Sequence, residues 1–190
     1  MNIFSRTNYK KTHTKTTKED IFLFVKDETL SPKYTKIFGV NYSINVYYMK
    51  IKNPELNLNK NTINIHLPMN IRHKNNQDLL TVILDKMYKT IANNEMENIM
   101  EKARHTFGFA PEEYEIRKIK NTLAYCDKDT QAIYINPKII MYSKDIIEYI
   151  VFHQFCHLKY KTHSKKFYEM LKKYKPNYEI LAKQIGNLKY

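Results

Sequence analysis

Residues 77–107 constrain this chain more than any other stretch. Leu79, Leu80, Ile83, Leu84, Met87, Tyr88 and Ile91 recur at the three- and four-residue spacing of one helical face. Asn93-Asn94 is a candidate interruption, after which Met96, Ile99, Met100 and Ala103 resume the stripe. The pattern predicts one long helix or two in sequence, stopped at Gly108 as by a C-cap. Such a helix must bury its stripe against something, and strand-like segments stand on either side of it. The fold class expected is therefore α+β, with a small, largely antiparallel sheet drawn from about residues 36 to 140.

Residues 36–51 are rich in Ile, Val, Tyr and Phe, and Asn41-Tyr42-Ser43 divides them into an expected pair of strands. Residues 62–68 alternate strictly. Ile63, Ile65 and Leu67 share one face, Pro68 ends the run, and His66 falls on the opposite, solvated face. After the helical region, 114–120 and 132–140 read as two strands around the turn-rich 126–131, and an antiparallel pair is expected. Ser143 is a fitting N-cap for a helix running to about Tyr160, with Asp145 in its first turn. Its core-facing positions are Ile146, Ile147, Ile150, Val151, Phe155 and Leu158. Another helix begins near Ser164, and a last one takes Pro176 as its first residue.

Composition excludes several classes. Hydrophobic residues make up 43% of the 190, too many for a wholly disordered chain. No apolar run reaches the ~18 residues of a membrane-spanning helix. The first residues carry no apolar leader, so a cytoplasmic protein is expected. Cys126 and Cys156 are too few for a disulfide framework. The net charge of +13 invites a nucleic-acid partner. Against that, 28 of the 32 basic residues are Lys, while Arg is the better bidentate reader of phosphates and bases. No nucleic-acid-binding motif accompanies the charge, so this reading stays weak. The first 20 residues, with Lys10, Lys11, Lys15 and Lys18 among threonines, read as a mobile tail. The IFLFV run at 21–25 reads as a short strand or docking segment. The domain division expected is a basic extension over 1–34 and one domain over 35–190.

Chemistry concentrates late in the chain. Three of the seven histidines fall within eleven residues. His153 and His157 stand four apart, so both imidazoles lie on one helical face. His163 follows six residues on, past the expected helix end, where the chain can turn back to the same point. Three His donors and one open position make the geometry of a hydrolytic zinc site. Gln154 sits beside the first histidine, and Cys156 points away from the pair. Glu148 and Glu169 read as solvated helix-face carboxylates. Tyr160 and Tyr168 lie close enough in sequence to polarise a carbonyl. From 158 to 190 there are nine lysines against Glu169 and Glu179, a basic rim.

The segment HQFCHLKYKTHSKKF resembles the active-site segment of the YgjP-like metallopeptidase family. That family carries His-Glu-Leu-x-His-Leu, a few residues, and then Asn-His-Ser-Lys-x-Phe. His153, His157, Leu158, His163, Ser164, Lys165 and Phe167 stand at the matching positions. The strand, Asn-Pro and helix of 132–153 resemble the family's approach to the motif, and the likeness extends over about 36–188. It implies a minimal zincin-like domain whose metal-bearing helix lies near the C-terminus. It implies Zn²⁺ held by His153, His157 and His163, and leaves the substrate open between a peptide and a nucleotide. The departure is Gln154, which occupies the place of the family's general-base Glu. A glutamine amide accepts no proton in the useful range, and general-base help is worth about 10²–10⁴ in rate. The expectation is a zinc-dependent hydrolase, impaired or inactive. The alternatives are a non-catalytic zinc-binding relative holding a peptide or acidic partner, and a metal-dependent nucleotide pyrophosphohydrolase. The second rests on family members described with that activity.

Overall fold

The computed structural model describes residues 25–186, so the N-terminal tail and most of the IFLFV run lie outside the described residues. Its strands are β1 (Val25–Asp27), β2 (Tyr34–Ile37), β3 (Val40–Met49), β4 (Glu55–Asn59) and β5 (Thr62–Pro68), followed by the helix α1 (Gln77–Phe107). Then come β6 (Glu113–Ile116), β7 (Ala124–Asp127), β8 (Ala132–Ile135), α2 (Lys144–Lys159), α3 (Lys165–Tyr174) and α4 (Tyr178–Ile185). The α+β class expected from the sequence is the class observed. The strands form two sheets.

Contacts divide the chain into two units. Among the described residues, the first comprises 25–36 and 40–87, and the second 37–39 and 88–186. The 31-residue α1 therefore starts in one unit and ends in the other.

In the first unit the strand order is β1-β3-β5-β4, with β2 also paired to β3. β3 and β5 run parallel, in a register that sets Ile44, Val46 and Tyr48 beside Ile63, Ile65 and Leu67. All six are buried, as are Leu80, Ile83, Leu84 and Met87 of α1. β1 and β4 flank this pair antiparallel. The expected break at Asn41-Tyr42-Ser43 does not occur, because the reversal comes earlier. Phe38 and Gly39 adopt φ of 51° and 81° and turn the chain between β2 and β3. β4, with only Leu56 fully buried among polar neighbours, went unseen in the sequence. His66 is half-buried rather than solvated, its ring 5.9 Å from that of Tyr47.

In the second unit the order is β6-β8-β7. β6 and β8, expected to be antiparallel, run parallel. The antiparallel partner of β8 is β7, which overlaps the segment expected to be a turn. The cause is local. Asp127 Oδ1 accepts from the backbone N–H groups of Asp129 and Thr130 at 3.0 and 3.2 Å, and Gln131 takes φ of 54°. A tight hairpin follows, which leaves β6 the far side of β8. β8 is also shorter than expected. Asn136 ends it by donating to the carbonyls of Ile119 and Thr122 while accepting from Lys138 N, and Pro137 opens a 3-10 turn to Met141.

The helices follow their sequence signals closely. Asn93 and Asn94 are exposed while Ala92 and Met96 are buried, so the stripe of α1 passes the asparagines without a break. Gly108 ends the helix at φ 75°. Ser143 begins α2, its carbonyl accepting from Ile147 N at 3.0 Å. Pro176 precedes the Asn177 cap of α4 and so lies just outside that helix rather than at its first position. α2 packs on β7, α3 and α4. An aromatic cluster holds these helices, with Phe107 lying 5.2 Å from Phe152, 5.4 Å from Phe155 and 4.5 Å from Tyr174.

A knot of charge adds to it. Lys175 is buried, and its ammonium reaches Asp145 at 3.2 Å and Glu148 at 3.1 Å. Lys102 of α1 reaches the other oxygen of Glu148 at 2.6 Å. Glu148 is therefore not the solvated carboxylate expected.

Candidate metal centre

α2 carries His153 and His157 one turn apart, and the five residues after its last helical position bring the chain back toward them. The return is fixed locally. Tyr160 N donates to Cys156 O at 2.8 Å, and Ser164 N donates to Thr162 O at 2.7 Å. Ser164 then caps α3, accepting from Phe167 N at 3.4 Å. The consequence is that His163 joins the pair. One ligand atom from each of the three rings lies within 4.8 Å of the other two. The Nε2 atoms of His153 and His163 are 2.9 Å apart. Among the described residues no other His, Cys, Asp or Glu cluster of this kind occurs.

Phe167 is what the three rings share. It is fully buried, and its ring centroid lies 4.9, 4.7 and 4.8 Å from those of His153, His157 and His163. The donors thus stand on a single aromatic floor. They differ in exposure: His153 is buried, His157 half-buried and His163 exposed.

Electrostatics keep the imidazoles neutral. Burial drives His153 down to about 2, and the neighbouring histidines push in the same direction. Burial lowers His157, and so do the nearby His163 and Lys128, against a hydrogen bond that raises it. His163 is lowered by burial and again by Lys128. Neutral imidazoles present lone pairs, which is the form a cation requires. For His157 the tautomer follows from its partner. Nδ1 lies 3.1 Å from the Tyr160 carbonyl, which only accepts, so Nδ1 carries the hydrogen and Nε2 keeps the lone pair. Lys128, on the β7–β8 turn, donates to the Lys161 carbonyl and so places an ammonium beside this loop.

Gln154 is fully buried, and neither its amide oxygen nor its nitrogen has a hydrogen-bond partner among the described residues. Leaving one such group unsatisfied costs about 1–3 kcal/mol. A primary amide held at that cost on the helix that carries two of the imidazoles fits a site that receives a polar ligand. With three neutral N donors, the residues present suit a metal ion.

Of the other residues singled out in the sequence, the carboxylates and thiols are not among the clustered donors, whereas Tyr160 and Tyr168 touch the histidines. Glu148 is committed to Lys102 and Lys175. Glu169 is exposed, 3.9 Å from Lys165. Cys156 is buried and its thiol is pushed up to about 12 by burial. Cys126 is half-buried, 3.7 Å from the Asp127 carbonyl, and is not among the clustered donors. Tyr160 contributes its carbonyl. Tyr168 stacks on His163 at 5.9 Å. A cleft of ≈ 550 Å³ in the same unit, lined by Met100, Arg104, Glu112, Glu113 and Phe155 among others, contains none of the three histidines.

Sequence reasoning assigned no role to Phe167, Lys128 or the Tyr160 carbonyl. The match of Phe167 to the family pattern carried a signal for the first. Nothing local pointed to the others.

An α+β unit in which a helix and the loop after it gather three neutral imidazoles defines a metallo-domain by its donor chemistry. Comparison with protein families makes this specific. The chain matches the YgjP-like metallopeptidase domain over residues 7–187, and it belongs to that family. Comparison with curated proteins finds no match. Among solved structures, similar chains include the metallopeptidase zymogen abylysin of Pyrococcus abyssi, at 24% identity and a TM-score of 0.44. The match covers 47% of this chain and 90% of that one. The zymogen of jannalysin from Methanocaldococcus jannaschii matches at 21% identity and a TM-score of 0.44, over 48% of this chain and 87% of that one. Among the described residues no helix is long and apolar enough to cross a membrane.

Proposed function

We propose that this chain is a zinc-binding protein of the metallopeptidase type, with His153, His157 and His163 as ligands and Gln154 at the general-base position. The observation that carries the reading is the convergence of three neutral imidazoles on Phe167 in a chain of this family. Zinc supplies Lewis acidity, polarising a carbonyl and easing the loss of a proton from water. The chain's own residues do the rest. The Tyr160 carbonyl orients His157. Gln154 offers an amide to a ligand oxygen but takes no proton from it, so hydrolysis is slow. β7 supports a peptide as the ligand. It is an edge strand packed on α2, and an extended backbone adds readily to such an edge.

A second reading has its own observation. Gln154 is buried with its amide unspent, which suits holding a carbonyl or carboxylate better than activating water. On that reading the chain is a non-catalytic zinc-binding relative.

The deciding experiment is metal content of the wild type and of His157→Ala, each offered zinc and then desalted. About one zinc per wild-type chain and little in the variant is expected. Equal content in both would remove the triad as the site. Peptide and nucleotide turnover by the loaded wild type then separates the readings, since measurable turnover that His157→Ala abolishes leaves only the hydrolase.

A further inference from the structure

The three imidazoles are held in place by different means. His153 lies mid-helix and buried, with Tyr149 edge-on to it at 6.0 Å. His157 is tied through Nδ1 to a backbone carbonyl. His163 lies in the linker between α2 and α3, is exposed, and makes no hydrogen bond to the backbone among those described. An exposed side chain on a linker keeps its rotamer freedom unless packing removes it.

Packing is present and it is aromatic. Phe167 meets the His163 ring edge-on, at 4.8 Å and 83°. Tyr168 stacks on it at 5.9 Å and 27°. Tyr168 is in turn stacked on Tyr178, the first residue of α4, at 5.9 Å and 27°. Tyr168 is 40% exposed, so it stands at the rim of the cluster rather than in the core. Its backbone is fixed by a bond from its N–H to Ser164 O at 3.1 Å, which sets the first turn of α3 directly after the linker.

We propose that Tyr168, backed by Tyr178, is the positioning residue that holds His163 in the orientation in which it completes the donor set. This inference rests on the reading of the triad as a metal site. It assigns to α4, an element remote from the motif in sequence, a share in metal affinity. Offset stacking between rings is worth enough to change an affinity by about two- to tenfold.

The test is titration of the full chain with Co²⁺, followed by its visible absorption, and competition with zinc. Tyr168→Ala is expected to weaken binding by about two- to tenfold and to alter the Co²⁺ spectrum. Tyr178→Ala is expected to shift both the same way by less, and Tyr168→Phe to restore wild-type values. Thermal melting without metal separates a folding defect: the melting temperature of metal-free Tyr168→Phe and Tyr178→Ala should stay near that of the wild type. Wild-type affinity and spectrum in Tyr168→Ala would overturn the inference while leaving the triad intact. The same holds if Tyr168→Phe fails to rescue. A wild type that binds no Co²⁺ or zinc would instead remove the triad reading, and this inference with it.

Discussion

On the function proposed above, Gln154 sets the chemical limits of the site. A glutamate in its place would be an acceptor with a titratable proton, while glutamine is an amide with none. Its shape is almost that of glutamate, so the buried position accommodates either without a change of volume. The prediction at this scale is therefore about chemistry. On a peptide substrate, Gln154→Glu is expected to raise turnover of the zinc-loaded protein by about 10²–10⁴, read as kcat with zinc content held equal. No rise at equal metal content would count against a latent hydrolase and for the binding reading. The clustering of the three histidines was legible in the sequence. Helical spacing sets His153 and His157 on one face, the expected end of α2 lets His163 turn back to them, and the resemblance to the family joins the three as a donor set. Phe167, Lys128 and the Tyr160 carbonyl were not, because their roles arise from where a linker and a hairpin return in space.

Elements follow the same division between local and distant causes. α1, α2, α3 and α4 stand close to where periodicity and caps put them, since a helix satisfies its hydrogen bonds within its own segment. The second sheet departs from the expected antiparallel pair because strand partners are set by the hairpin at Asp127–Gln131, and a parallel pair such as β6 and β8 leaves no local mark. β4 and β7 are short and half polar, so their pairing lies in their neighbours rather than in their own sequence. Among the helices, Glu148 links α1 and α2 to the end of α3 through Lys102 and Lys175. Burial pushes its carboxyl up, but the hydrogen bonds from the two ammonium groups outweigh this and leave it below its ordinary value of 4.5. A carboxyl depressed in the folded state stabilises fully above its unfolded value, and that contribution is lost as pH falls through the folded value. Glu148→Gln is thus expected to cost about 1–3 kcal/mol at neutral pH. The difference from wild type should shrink as denaturant unfolding is repeated below about pH 4. A pH-independent difference would mean that the charge plays no part.

At the scale of the whole molecule, ligand binding and stability are one measurement. A metal that binds only the folded chain at ~100-fold above its Kd adds about 2.7 kcal/mol. For a chain of this size that raises Tm by roughly 5–10 °C. Addition of a strong chelator is expected to reverse the rise in the wild type and to leave His157→Ala unmoved, as read by calorimetry. The turn between β2 and β3 has a different kind of consequence. Residues 37–39 belong to the second unit although the strands on both sides of them belong to the first. Phe38 N donates to Ile140 O at 2.7 Å, Lys144 lies over the Phe38 ring at 4.7 Å, and a Cβ on Gly39 would stand 3.4 Å from Ser143 N. The backbone therefore passes from one unit to the other three times, at 36–37, 39–40 and 87–88. Neither unit is a continuous stretch of gene. A fragment begun at Tyr88 would carry every histidine of the cluster yet lack the peptide that closes over the start of its own ligand-bearing helix. The protein is therefore not modular, and recombination or excision at 87–88 would sever α1 and strip residues 37–39 from the half that carries the clustered histidines.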